Sequence, residues 1–182
     1  MHNHTRLSIT IVSITALSLA SGAQDARGAP AASPGQTAFN FFVRKGLSKV
    51  QAAGVVGNLV QESGIHPGSV EAGGPGRGIA QWSLGGRWDR SANDNLRWYA
   101  AMHRMAPGAL DTQLDFIWYE LMTFRGYGLA ALRAASTVAQ ATHAFAASFE
   151  ACGACNEPRR IAFAQSALRA YGGATRIARR RP

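Results

Sequence analysis

Residues 48–82 read SKVQAAGVVGNLVQESGIHPGSVEAGGPGRGIAQW. Ser48 and Gln51 stand at capping-box spacing, so hydroxyl and amide can satisfy two free backbone N–H groups. Ala52, Val55, Val56, Leu59 and Val60 then recur at helical spacing and give a wide apolar face. Gly54 and Gly57 each weaken a helix by about 1 kcal/mol relative to Ala. They also let a neighbouring backbone come close. The pattern predicts a central helix, surrounded by others, that runs into Glu62-Ser63. A glycine-rich loop from Gly64 to Gly78 follows, and then a short apolar segment, Ile79 to Trp82.

Glu62 is the candidate catalytic acid. A helix C-terminus carries partial negative charge, which disfavours a second negative charge. Apolar neighbours disfavour the ionised form by desolvation. Both effects favour a retained proton, as a general acid near neutral pH requires. Acids belong at helix starts, and local rules tend to be broken at functional sites.

The loop GIHPGSVEAGGPGRG holds six glycines and two prolines among fifteen residues. A loop of this composition is commonly functional or mobile. It lacks the Gly-Lys-Ser/Thr ending of a phosphate-binding loop. His66 precedes Pro67 and reads as a turn residue. No second ligand stands at metal spacing, so neither metal nor cofactor is expected. Glu71 is the loop's only acid. A catalytic acid commonly works beside a second titratable group whose environment differs from its own. Glu71 is the first candidate for that partner. Asp89 ranks behind it, because Arg87 and Arg90 offer it ion pairs.

The run GNLVQESGIHP followed by GRGIAQW resembles the phage-tail-lysozyme type of peptidoglycan hydrolase. More distantly it is similar to goose-type lysozymes and soluble lytic transglycosylases. Glu62-Ser63 matches the Glu-Ser at a helix end. Gly76-Arg77-Gly78-Ile79-Ala80-Gln81 matches the Gly-x-Gly-Leu-Met-Gln-like segment, with Ile-Ala for Leu-Met. The likeness extends in weaker form from Phe41 to about Ala170. It implies an all-α, lysozyme-like single domain with the Gly-rich loop beside the cleft. It implies cleavage of the β-1,4 bond between N-acetylmuramic acid and N-acetylglucosamine, with Glu62 protonating the glycosidic oxygen. Gln81 would hydrogen-bond a sugar substituent. Trp82 would stack on a sugar face or wall the cleft, with core packing the even alternative. Ser63 would orient Glu62 or simply end the helix. Gly78 belongs to the same contact wall, and Tyr127 either contacts substrate or packs. Relatives of transglycosylase type work with one Glu, so hydrolysis and 1,6-anhydro product formation both stay open.

The flanking sequence supplies the rest of the domain. Met1 to Arg6 is a short polar start, and Leu7 to Ala20 is apolar. Small-x-small cleavage sites follow at Ser18-Leu19-Ala20 and Ser21-Gly22-Ala23. Residues 1–23 read as a secretory signal peptide. The apolar run is shorter than the ~20 residues of a spanning helix, so no membrane span is expected after cleavage. Residues 24–34 (QDARGAPAASP) read as a linker, 35–173 as the catalytic domain and 174–182 as a basic tail. Thr37 is the expected cap of a first helix bearing Phe39, Phe42 and Val43, with Gly46 as its C′ residue. Arg87 to Met105 reads as helix-like, broken or recapped at Asn93–Asn95. Further helices are expected over Leu110–Phe124, Leu129–Ala134, from Thr137 with a capping box to Gln140, and from an Asn156 cap. No strand pattern stands out. Glu150 is expected to brace the fold through Arg159 or Arg160. Cys152 and Cys155 form a CxxC without the βαβ surroundings of a redox motif. A disulfide suits an exported protein.

Formal net charge is +9. Such a charge raises encounter rates with anionic polymers. Export to the periplasm or medium disfavours nucleic acid and leaves the envelope, with peptidoglycan glycan strands as partner and a monomer as the acting form. A wall-binding module without chemistry and an exported structural protein are the competing classes. Retention of Glu62 beside a Gly-rich loop argues for the enzyme.

Overall fold

The computed structural model describes residues 31–152 and 155–173. The expected signal peptide, the linker up to residue 30 and the basic tail lie outside them. Seven α-helices are formed among the described residues: α1 (Pro34–Arg44), α2 (Lys49–Ser63), α3 (Leu96–His103), α4 (Leu110–Thr123), α5 (Leu129–Ala134), α6 (Val138–Ser148) and α7 (Glu157–Tyr171). A 3-10 turn, Arg125–Tyr127, joins α4 to α5. All belong to one unit, Ala32–Pro182. The fold is mainly helical, in keeping with a lysozyme-like all-α single domain.

α2 is the axis. Its capping box is formed: the Gln51 N–H donates to Ser48 Oγ at 3.2 Å, and the Ser48 N–H donates to Gln51 Oε1 at 2.9 Å. Every residue from Gln51 to Leu59 is buried. The two glycines face the neighbours that their sequence positions call for. A Cβ on Gly54 would stand 2.6 Å from Ala141 Cβ on α6, and one on Gly57 would stand 2.6 Å from Ala164 Cβ on α7. α6 and α7 therefore lie directly on the α2 backbone. Buried Asn58 bridges them, donating from Nδ2 to the Thr142 carbonyl at 3.1 Å and accepting from Arg160 at 3.0 Å. Gly64 ends α2 in the left-handed conformation, φ +65°, which costs glycine little.

Four expectations are corrected. α1 begins at Pro34 and is capped by Ser33, whose Oγ accepts from the Gln36 N–H at 3.2 Å. Ser33 and Pro34 thus belong to the domain and not to the linker, and Thr37 is not the cap. Proline at a first helical position loses no bond, because that N–H has no partner. Residues 87–95 form turns and not helix, but the new cap expected within Asn93–Asn95 is formed: Asn95 Oδ1 caps α3, which is confined to Leu96–His103. Asn156 sits at the start of α7 with φ +41°, but its side chain makes no capping bond. Strand is present: β1 (Gly76–Arg77) and β2 (Trp82–Ser83) pair antiparallel, with Gly76 opposite Ser83 and Arg77 opposite Trp82. This hairpin turns the glycine-rich loop back toward the end of α2.

The core gathers on α2 and the hairpin. Trp82 contacts Phe116 of α4 with ring centroids 5.5 Å apart, and Phe145 stacks on Phe149 at 4.5 Å. Leu59, Ile79, Leu114 and Ile117 are fully buried. No helix among the described residues is long and apolar enough to cross a membrane.

Candidate active site

A cleft of about 470 Å³ opens where the end of α2, the β1–β2 hairpin, the turns after β2 and the start of α7 meet. Glu62, Gln81, Trp82, Ser83, Arg87, Ser91, Glu150 and Arg160 line it.

Glu62 lies in the last turn of α2 and is part-exposed. Arg160 Nη2 donates to Glu62 Oε1 at 2.6 Å. The Arg160 side chain is 7% exposed and is fixed by two further bonds. Its Nη1 donates to Asn58 Oδ1 at 3.0 Å, and its Nε donates to the Cys155 carbonyl at 2.7 Å. A cation therefore stands beside the carboxylate where the sequence led us to expect apolar surroundings. The expected bracing pair of Glu150 with Arg159 or Arg160 does not form. Arg160 is spent on Glu62 instead.

Glu150 follows α6 and faces the same cleft. Its Oε1 is shielded from solvent and finds no hydrogen-bond partner among the described residues. Burial pushes this carboxyl well above the usual range, and the charge of Glu62 adds to the shift. Arg87 and Arg160 pull against it without prevailing.

Behind the hairpin lies a buried polar cluster. Glu120 of α4 is fully buried. Arg87 Nε donates to its Oε1 at 2.6 Å, and the Trp82 indole N–H donates to its Oε2 at 3.1 Å. Burial pushes Glu120 up to about 8 against the pull of Arg87. Burial pulls Arg87 down, but the hydrogen bond and charge of Glu120 outweigh it and the net shift is upward. The Arg87 guanidinium lies 4.4 Å from the Tyr127 ring centre and 4.5 Å from that of Phe149. Tyr127 donates to Asp94 Oδ2 at 2.5 Å. Burial raises its hydroxyl first, and the Asp94 bond raises it further.

The structure thus separates the residues named from sequence. Glu62, Gln81 and Trp82 share the cleft. Trp82 is 2% exposed, so it walls the cleft from the core and offers no face for stacking. Gln81 holds φ +48° and donates from Nε2 to the Gly78 carbonyl at 2.8 Å. Ser63 does not orient Glu62: its Oγ donates to the Ile79 carbonyl at 2.9 Å and ties α2 to the hairpin. Gly78 is a packing position. Its φ is +72°, and a Cβ there would stand 2.7 Å from Gln113 Oε1. Glu71 points into its own loop, where its Oε2 accepts from the Gly76 N–H at 3.0 Å, and it does not line the cleft. Asp89 accepts from the Gly85 N–H at 2.8 Å. Tyr127 is occupied by Asp94 and Arg87. Cys152 and Cys155 are joined, with their Cα atoms 5.3 Å apart, and close the loop that brings the α7 start to the cleft.

Arg160, Glu150 and Arg87 complete the cleft, with Glu120 bonded to Arg87 behind it, and none of them was assigned to the site from sequence. For Arg160 a signal existed. It stands four residues before Ala164 and seven before Ala167, both buried, so an arginine lies on the inner face of α7. Such a charge needs a partner.

The phage tail lysozyme family model matches residues 35–171. The chain belongs to that family. No curated relative matches the chain. The matched segment of this phage tail lysozyme domain runs from the second residue of α1 to the end of α7 and holds every cleft residue. A lysozyme-like function in peptidoglycan cleavage follows for the domain at that level.

Proposed function

We propose that the protein is an exported glycosidase that cuts the β-1,4 bond between N-acetylmuramic acid and N-acetylglucosamine in peptidoglycan. Glu62 delivers the proton to the glycosidic oxygen as the bond to the anomeric carbon breaks. The observation that supports this most is the position of Glu62 in the cleft. Arg160 holds Oε1 at 2.6 Å, and Oε2 makes no hydrogen bond to the described residues. Arg160 fixes the carboxyl in place, which favours a reactive geometry. Gln81 and Ser83 supply polar groups on the hairpin wall for sugar substituents. The net charge of +9 favours encounter with an anionic wall polymer.

Replacement of Glu62 by Gln keeps shape and removes the proton. We expect Glu62→Gln to abolish lysis of purified cell walls while wall binding persists. Unchanged lysis would sink the reading. Mass spectrometry of the released muropeptides then names the reaction. Reducing-end products mean hydrolysis, and 1,6-anhydro products mean transglycosylation.

A further inference from the structure

The cleft contains a second carboxyl for which bracing the fold gives no account. Glu150 has no cation bonded to it, and its Oε1 is buried without a donor. A buried carboxylate oxygen left unpaired is costly. A buried carboxylic acid that keeps its proton is far less so. Glu62 is the opposite case, part-exposed and bonded by Arg160 at 2.6 Å. Two carboxyls facing one cleft, one environment suited to the charged form and the other to the neutral form, divide the protonation states between them.

We propose that Glu62 and Glu150 work as one unit holding a single proton, with Glu150 the positioning residue that keeps this proton available to Glu62. The inference rests on the reading of Glu62 given above. Burial without a donor favours the proton on Glu150, while Glu62 has the Arg160 guanidinium at 2.6 Å. Exchange across the shared cleft populates the alternative, Glu62 protonated and Glu150 charged. From that form the Glu62 O–H bond breaks and an O–H bond forms on the glycosidic oxygen. The bond from that oxygen to the anomeric carbon breaks, and its electron pair stays with the leaving sugar. Water, or the sugar's own 6-hydroxyl, adds to the anomeric carbon and returns one proton to the pair.

The groups that face Glu150 are Glu62 from α2, Arg160 from α7, Arg87 from the turns after β2, and Glu120 from α4. The two arginines oppose the three carboxyls in this cluster, and none of them bonds Glu150. Because the pair titrates jointly, activity follows the loss of its last proton and not that of Glu62 alone. With Glu150 present, the proton is kept to higher pH. Without it, Glu62 stands alone against Arg160.

The test is the pH profile of kcat/KM on purified peptidoglycan for wild type and Glu150→Gln. We expect the basic limb to move to lower pH by about one unit or more, with KM near the wild-type value. A profile of the same shape, scaled up or down, would overturn the pairing and make Glu150 a structural residue. If Glu150→Gln does not fold, carboxyl ¹³C titration of wild type and Glu62→Gln decides. Removing the Glu62 charge should lower the pH at which Glu150 ionises, and no movement would overturn the proposal. Full lysis by Glu62→Gln would refute the glycosidase reading itself. Loss of lysis in Glu62→Gln beside an unmoved limb in Glu150→Gln would refute the pairing alone.

Discussion

Gly57→Ala should destabilise the protein, although alanine is the better helix former. Gly57 lies in mid-α2, so the substitution gains about 1 kcal/mol of helix propensity. Against this stands the contact with α7. The new Cβ would lie 2.6 Å from Ala164 Cβ, from the Ala164 backbone nitrogen and from the Arg160 carbonyl oxygen. Favourable carbon contacts lie at about 3.5–4.0 Å. Two of the three atoms are backbone, so no rotamer change relieves them, and α7 must retreat by roughly 1 Å. Overpacking of this kind costs about 3 kcal/mol at the upper end of its common range. The net loss is about 2 kcal/mol, which for a domain of this size lowers Tm by roughly 4–8 °C. The function should fall further than the stability. The displaced carbonyl is that of Arg160, whose guanidinium holds Glu62, and misplacing such a group by 1 Å can cost about 100-fold in rate. Calorimetry and wall-lysis rates on the same preparation check both parts. Gly108→Ala, with nothing within 4 Å of its Cβ, should leave both near wild type. A higher Tm for Gly57→Ala would refute the packing argument. A lower Tm with undiminished lysis, measured well below Tm, would refute the claim that α7 carries the site.

Arg160→Met should cost about 3 kcal/mol or more, because Glu62 and Asn58 lose their buried partner; urea denaturation reads this, and lysis should fall with it. Arg160→Lys should recover little, since one ammonium cannot make the contacts to Glu62, Asn58 and Cys155 that the guanidinium makes. Trp82→Phe should lower stability by about 1–3 kcal/mol by leaving Glu120 Oε2 without its buried donor, and melting curves of the two proteins test it. Glu120 is raised in the folded state from an ordinary value near 4.5 to about 8. Between those values the folded state binds the extra proton, so its contribution is full below about 4.5, declines as pH rises and levels off beyond about 8, with a slope of at most about 1.4 kcal/mol per pH unit. Denaturation at several pH values should show that decline, and Glu120→Gln should flatten it.

What could be read from sequence divides along physical lines. The α2 helix, its capping box and the close approach at Gly54 and Gly57 are set by residues a few positions apart, and they were legible. So were the bounds of α5 and the capping box at Thr137, which the structure forms with Gln140. The β1–β2 hairpin was not, because strands of two residues hold no period to detect. The α1 cap was hidden by composition: Ser33-Pro34 closes a run of small residues that otherwise reads as linker. The site was half legible for a related reason. Glu62 and Gln81 belong to one contiguous stretch, whereas Arg160 meets Glu62 across 98 residues of chain. No spacing rule connects them. On sequence alone Glu150 pairs with Arg159 or Arg160, its neighbours in the chain, whereas the structure gives Arg160 to Glu62.

That misassignment changes the chemistry to be explained. A lone Glu62 in apolar surroundings would keep its proton by desolvation and the partial charge of the helix end. The structure places beside Glu62 a guanidinium fixed by two other bonds, and in the same cleft a second carboxyl whose Oε1 has no donor. Desolvation acts in this cleft, but on Glu150. On the proposed pairing, the proton needed for bond cleavage belongs to two residues, Glu62 in the last turn of α2 and Glu150 just after α6, held at a shared cleft by the packing of α6 and α7 on the glycines of α2. Gly54 and Gly57, which weaken α2 as a helix, are what allow its terminal carboxyl to meet both.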